Sequence, residues 1–365
     1  MIGWQFAQQN QDEGGSPFDK LFKIFKELLL YTSGNVDEAI SWLTQLDKEY
    51  NLTTPDYGIS DFIDDLVKKG FLQKPKKGQE GPMRPSSKME VEMRQSALKD
   101  VFGQIKKSKK GDHSTRYSGL GDERAAEIRP FEFGDNLDNL AISETLKNAY
   151  INNGIDNFRL THDDLQVYET FYQSQTSTVL MIDISHSMIL YGEDRITPAK
   201  KVAMALAEYI GTRYPKDTLD ILVFGNDAWQ IQVKDLPYLE VGPYHTNTIA
   251  GLELAMDMLR KRRNPNKQIF MITDGKPTCI KKGKKYYKNS WGLDRQIINR
   301  TLNLAKRCKK MQIPVTTFMI AQDPHLVRFV QQFTEANGGK AFYSSLQGLG
   351  HLVFEDYKNN KKHRK

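Results

Sequence analysis

Five oxygen-bearing side chains on three separated segments have the types and spacing to do chemistry together: Asp183, Ser185 and Ser187 in DISHS, Thr246 in YHTNT, and Asp274 in MITDG. Two carboxylates and three small hydroxyls form a donor set for one hard divalent cation, magnesium or manganese, which demands near-octahedral oxygen coordination. Five such side chains do not fill that sphere without water or a borrowed ligand. The residue types therefore predict a metal site with an open position.

The flanking elements must bring these residues together. DISHS follows the apolar run TVLMI, so Asp183 falls where a buried strand ends, and the i, i+2, i+4 spacing lets one carboxylate and two hydroxyls converge from a loop. Asp274 repeats the arrangement after QIFMIT, and Thr246 precedes a helical pattern from Thr248 to Arg260. A lone Asp-x-Ser-x-Ser fits an ordinary turn equally well. The added Thr before a helix and Asp-Gly after a second buried strand make the set specific.

Strand and helix patterns alternate through the last part of the chain. Strands are expected at Thr178–Ile184, Leu219–Phe224, Trp229–Val233, Gln268–Thr273, Val315–Ala321 and Ala341–Tyr343. Helices are expected at Thr197–Arg213, from Thr248, near Asp294–Lys310, near Pro324–Asn337 and at the end. Such alternation predicts an α/β fold with a doubly wound, mostly parallel sheet covered on both faces. Open sheets of this kind bind ligands beyond the strand carboxyl ends where strand order reverses, and both Asp clusters fall at such ends.

On these residues the chain resembles the von Willebrand factor type A (VWA) family, whose metal-ion-dependent adhesion site (MIDAS) has the order Asp-x-Ser-x-Ser, Thr, Asp. DDLQVYE, STVLMIDISHSM, AKKVAMALAEYI, HTNTIAGLELA and MITDGKPT further resemble the VWA domain of magnesium chelatase D subunits and their bacterial relatives. The similarity covers roughly Asp164 to Tyr357. It implies a Rossmann-like fold with the DxSxS strand central, a magnesium site (with manganese or another divalent cation as substitute), and a protein partner whose Asp or Glu completes the metal shell. Those relatives typically partner AAA+ ATPases. Tyr244 and His245 stand where the family often has two glycines before the Thr.

Upstream, three helical stripes are expected: one through Leu21, Phe22, Ile24, Phe25, Leu28 and Leu29, one over Val36–Tyr50, and one through Ile59, Phe62, Ile63, Leu66 and Val67. Ser33 or Asn35 is the candidate cap of the second, and Gly70 the stop of the third. The segment SGNVDEAISWL is superficially similar to small three-helix ubiquitin-binding folds, but capping and one amphipathic face explain the same residues. The resulting division is a small all-helical module (1–75), a linker and charged wrapping segment (76–163), the VWA-like domain (164–357) and a basic tail (358–365). A charged helix is expected from Met89 to about Lys110, another from Leu137 to Ala149, and Leu165–Phe171 is a candidate edge strand against TVLMIDI.

Other chemistries fit less well. Ser185 and Ser187 flank His186, but loop neighbours seldom face one another and there is no G-x-S-x-G elbow, which argues against a hydrolase. His186 and His245 have no zinc-type spacing and read as polar rim residues. Gly119 and Gly121 lack the strand-to-helix context of a phosphate loop, and no G-x-x-x-x-G-K-[ST] is present. A non-enzymatic protein is expected. The basic runs KKGKKYYK (Lys281–Lys288), KRR (Lys261–Arg263) and KNNKKHRK, with a formal net charge of +7, carry the alternative of a nucleic-acid-associated VWA protein.

Hydrophobic residues make up 39% of the 365 and charged residues 27%, enough for a core and too polar for a membrane class. No apolar run approaches the ~18 residues of a span. The N-terminal MIGWQFAQQNQDEGG has neither a basic start nor an apolar core, and Cys279 and Cys308 form no motif, so a cytoplasmic protein without disulfides is expected.

Overall fold

The computed structural model describes residues 16–74, 81–103, 118–132, 135, 137–154, 158–171, 175–192, 194–274, 276–289, 292, 294–320, 324–343, 349–350, 352–353 and 356–357. The described residues from 349 on are helical. The chain divides into two compact units, one built from residues 1–106 and 176–360, the other from 107–175 with 361–365.

The first unit opens with α1 (Pro17–Tyr31), α2 (Val36–Tyr50) and α3 (Ile59–Lys68). Ser16 and Asp19 form a reciprocal capping box and Pro17 takes the first helical position, so the start of α1 is fixed locally. Asn35 caps α2 by accepting from the Glu38 N–H at 3.2 Å. Ser33 instead takes a left-handed conformation (φ 50°) in the turn before it. Gly34 follows at φ 84°, and its N–H returns to the Leu29 carbonyl at 2.7 Å, closing α1. Gly70, at φ 76°, ends α3. The two-residue strands β1 (Leu72–Gln73) and β2 (Arg84–Pro85) pair antiparallel and lead into α4 (Ser87–Gly103). The expected linker therefore carries a short ladder on either side of residues 75–80, which lie outside the described residues.

The second unit comprises β3 (Ser118–Pro130), α5 (Ile142–Asn153) and β4 (Gln166–Phe171). β4 pairs antiparallel with β3, which corrects the expectation that this segment edges the TVLMIDI strand. An apolar run fixes strand character but not the partner strand, and the partner here comes from the Gly119 and Gly121 stretch, for which no strand is expected from the sequence. Asp164, fully buried, accepts from Thr161 N, Thr161 Oγ1 and Asn152 Nδ2 at 2.6–2.8 Å, which holds its carboxyl below the usual range.

The remainder of the first unit alternates as the sequence predicts: β5 (Thr176–Asp183), α6 (Ile196–Arg213), β6 (Thr218–Phe224), β7 (Ala228–Ile231), α7 (Thr248–Lys261), β8 (Asn266–Thr273), the hairpin β9 (Cys279–Lys282) and β10 (Lys285–Lys288), α8 (Arg295–Lys310), β11 (Val315–Met319), α9 (Pro324–Asn337) and β12 (Lys340–Tyr343). Six strands form one sheet in the order β12-β11-β8-β5-β6-β7, parallel except for the antiparallel edge strand β7. β5 is central and buried at all eight positions, which is why it reads as an unbroken apolar run.

Alternate residues of the strands feed two cores. Val179, Met181, Ile269, Met271 and Val315 pack with Leu252 and Leu259 of α7, Ala305 of α8 and Phe333 of α9. On the other face Leu180, Ile182, Phe270, Ile272 and Phe318 join Ala199, Val202 and Leu206 of α6. Phe25, Leu29, Leu43 and Phe62 of the first three helices and Met89 and Met93 of α4 belong to that same core. The N-terminal helices therefore add a further layer outside α6. Lys200 of α6, only 1% exposed, sends its ammonium to the Leu30 carbonyl (3.2 Å), Ser33 Oγ (3.0 Å) and the Pro237 carbonyl (3.4 Å), tying the end of α1 to α6.

Candidate metal centre

β5 and β8 are neighbours, yet the chain leaves β5 through α6 toward β6 on the opposite side. Strand order therefore reverses at the carboxyl ends of β5 and β8, and a crevice opens there. Asp183 closes β5, Asp274 directly follows β8, and Thr246 sits in the loop before α7.

All five predicted residues meet at this point, and four are at most 4% exposed, with Ser187 half-buried. The hydroxyls form a chain: Thr246 Oγ1 donates to Ser185 Oγ at 2.9 Å, and Ser185 Oγ lies 3.1 Å from Ser187 Oγ. Asp183 Oδ1 accepts from the Ser185 N–H at 2.9 Å, and its Oδ2 accepts from Thr273 Oγ1 at 2.7 Å. The Thr246 loop is held at both backbone atoms: its N–H donates to Thr278 Oγ1 at 3.0 Å, and its carbonyl accepts from Thr278 and Cys279 N–H groups at 2.9 and 3.1 Å.

Two buried carboxyls sharing one crevice oppose each other's ionisation. Burial, then the nearby Asp274, pushes the Asp183 carboxyl up to about 7. Asp274 is also raised, by burial, against the lowering pull of Ser187, Arg195 and the Lys276 backbone. Arg195 Nη1 stands 3.8 Å from Asp274 Oδ2. The other oxygen, Oδ1, is buried with no hydrogen-bond partner among the described residues. A native fold seldom leaves a buried carboxylate oxygen unpaired unless an unseen ion or water meets it. Two under-compensated carboxyls, an orphaned oxygen and three adjoining hydroxyls fit a hard cation, whose charge would stabilise both ionised acids.

Thr273 and Arg195 belong to this site and escaped the sequence reading. Thr273 precedes Asp274 as the last residue of a strand, but its hydroxyl reaches Asp183 only because β5 and β8 pair Ile182 with Ile272, a register no local pattern reveals. Arg195 lies before α6 with no spacing that ties it to an acid 79 positions onward. Tyr244, in place of an expected glycine, fits because it packs against two residues without side chains: a Cβ on Gly225 would fall 2.7 Å from the Tyr244 Cβ, and one on Gly242 would fall 2.1 Å from its ring. His186 is exposed, and its N–H donates to the Tyr244 carbonyl at 3.0 Å. His245 donates its N–H to Asn226 Oδ1 at 2.9 Å, and burial and Lys288 lower its imidazole. Cys279 and Cys308 are buried free thiols. Among the described residues no helix is long and apolar enough to cross a membrane.

The sheet order, central β5 and crevice define a vWA-fold protein. Residues 176–358 match the family described as Rv0959-like protein, vWA domain, and residues 123–170 match Rv0959-like protein, third domain. The chain belongs to the Rv0959-like vWA family. It is similar to Uncharacterized protein Rv0959 of Mycobacterium tuberculosis and Uncharacterized protein Mb0984 of Mycobacterium bovis; each is 31% identical over 301 residues, 80% of this chain and 44% of the relative. The chain thus spans less than half the length of these relatives. The vWF domain of the type V pili tip protein Mfa5 from Porphyromonas gingivalis superposes with a TM-score of 0.43 at 12% identity, over 53% of this chain and 98% of that one.

Proposed function

We propose that this protein is a non-enzymatic interaction module that engages a protein partner through a divalent cation, with magnesium the best fit. vWA domains commonly mediate protein–protein interaction. The observation that carries the metal-dependent reading is Asp274 Oδ1, a buried carboxylate oxygen with no hydrogen-bond partner among the described residues, beside a second raised carboxyl and a ladder of hydroxyls. Asp183, Ser185, Ser187, Thr246 and Asp274 would hold the cation, whose chemistry there is to accept one further oxygen ligand. A carboxylate from the partner suits that position because it adds charge as well as a lone pair.

The resemblance to chelatase D subunits extends the reading to a cytoplasmic adaptor or co-subunit of an AAA+ ATPase acting on a third protein. This chain has no ATP-binding loop of its own to drive such work. The test is affinity capture from native lysate with wild type and Asp183→Ala, each with magnesium or chelator, read by mass spectrometry. A partner lost on both mutation and chelation is expected. The same partners retained in all four conditions would sink the metal-dependent reading, and an AAA+ protein missing from the magnesium-dependent set would remove the ATPase assignment.

A further inference from the structure

Beside the metal centre, a groove of about 440 Å³ runs between α7, α8 and β9. Ile280 (fully buried), Leu304 (8% exposed) and the half-buried Ile249 supply an apolar floor, while Lys281, Arg300 and Arg307 line its walls. Arg300 and Arg307 are exposed and lie seven residues apart on one face of α8, two turns and about 10 Å along the helix. No described carboxylate pairs with either guanidinium. Among the described residues Glu253 is the one acid on the lining.

The segment that supplies the hairpin and α8 has the same sign, although Lys281 itself is ion-paired with Asp227 at 3.1 Å. From Lys281 to Lys310 the chain carries eleven Lys and Arg residues and a single acid, Asp294. That acid is consumed internally: it caps α8 through the Gln296 and Ile297 N–H groups at 2.8 and 3.1 Å and accepts from Tyr287 OH at 2.9 Å. The hairpin is also fixed relative to the metal centre, because Thr278 and Cys279 hold both backbone atoms of Thr246.

We infer that this groove is a second docking contact of the same interface, taking an acidic segment of a protein partner with an apolar anchor. The inference rests on the partner-facing reading of the metal centre, and names the chemistry of the partner. An apolar floor between paired arginines suits carboxylates flanking a leucine-like side chain, since Arg forms planar bidentate pairs with carboxylates. The aromatic residues argue for protein over single-stranded nucleic acid. The Tyr286 hydroxyl is bound to Asp227, and Lys281 and Lys288 sit 5.4 and 5.8 Å from its ring centroid. Lys282 covers the Tyr287 ring at 4.0 Å. Both rings thus already have a lysine beside them, and two isolated tyrosines do not make the run of stacking platforms that single-stranded binding uses.

The test uses the full chain and a fluorescein-labelled twelve-residue peptide of alternating glutamate and leucine, read by anisotropy in magnesium and in chelator. Arg300→Glu/Arg307→Glu, on an exposed helix face, should retain the thermal melt and bind the peptide at least tenfold more weakly in both conditions. Asp183→Ala should lose only the increment that magnesium adds. Dependence on the two arginines with no effect of magnesium or Asp183→Ala would uphold the groove and overturn the metal-dependent reading alone. Undiminished binding by the arginine variant, or no peptide binding by wild type, would overturn the groove. So would a twenty-base-pair duplex that outcompetes the peptide and needs the same arginines.

Discussion

Thr273 Oγ1 donates to Asp183 Oδ2 at 2.7 Å, so the last residue of one strand orients the carboxylate that ends its neighbour. That bond favours the ionised acid against the burial that raises it. Hydrogen bonds behind a metal ligand typically account for about 10–100-fold in metal affinity. Thr273→Val keeps the side-chain shape and removes the donor. Magnesium affinity by titration calorimetry should fall about tenfold with the fold retained; unchanged affinity would show that Asp183 needs no such support.

Magnesium should stabilise the protein through the same pair of acids. A ligand at a hundred times its dissociation constant adds about 2.7 kcal/mol if it binds only the folded state. The melting temperature should therefore rise with magnesium and return to its starting value with chelator. Asp183→Asn should abolish the rise while leaving the metal-free melt unchanged or higher, because one of two opposed buried carboxyls becomes neutral. A magnesium-induced shift that survives in Asp183→Asn would place the cation elsewhere.

The packing of Tyr244 against Gly225 and Gly242 predicts a second, local effect. A methyl added at Gly242 would meet the ring at 2.1 Å, and the same side chain is backed by Gly225, where a Cβ would lie 2.7 Å from the Tyr244 Cβ. Overpacking of this kind costs about 1–3 kcal/mol. Gly242→Ala should lower denaturant stability by that amount, and the loss should largely disappear in a Tyr244→Ala background. An equal cost in both backgrounds would assign the penalty to the backbone instead.

Much of this site was legible because its residue types are unusual where they occur. Asp183 ends one unbroken apolar run and Asp274 follows a second, and a charge there has few structural uses, so the strand ends and the meeting of the two acids were readable from the same letters. The helices of the first unit were legible from their stripes and caps. Their association was not: Phe25 and Leu29 bury equally well against one another or against α6, and only the structure shows a shared core with Ile182 and Phe270. The β9–β10 hairpin was hidden because KKGKKYYK reads as a solvated charge run, and its order comes from distant partners, Asp227 and Thr246.

Lys200 offers a pH test of how the N-terminal helices attach. Burial, partly offset by Asp194 and Glu240, lowers its ammonium to about 8. Below that value both folded and unfolded chains carry the proton, and the cost of burying it is present in full. Between about 8 and 10.5 the folded chain releases the proton first, the unfolded chain binds more, and stability rises with pH. The gain approaches about 3 kcal/mol at the upper end. Tyrosines such as Tyr209 and Tyr357, raised by burial, act in the opposite direction at high pH, so the contribution is isolated by subtraction. Stability of wild type minus that of Lys200→Met, from denaturant melts at pH 7.5 to 9.5, should increase steadily with pH. A flat difference would mean that the three oxygens around Nζ hold the charged form as well as water does, and that the end of α1 is fastened by a permanent cation.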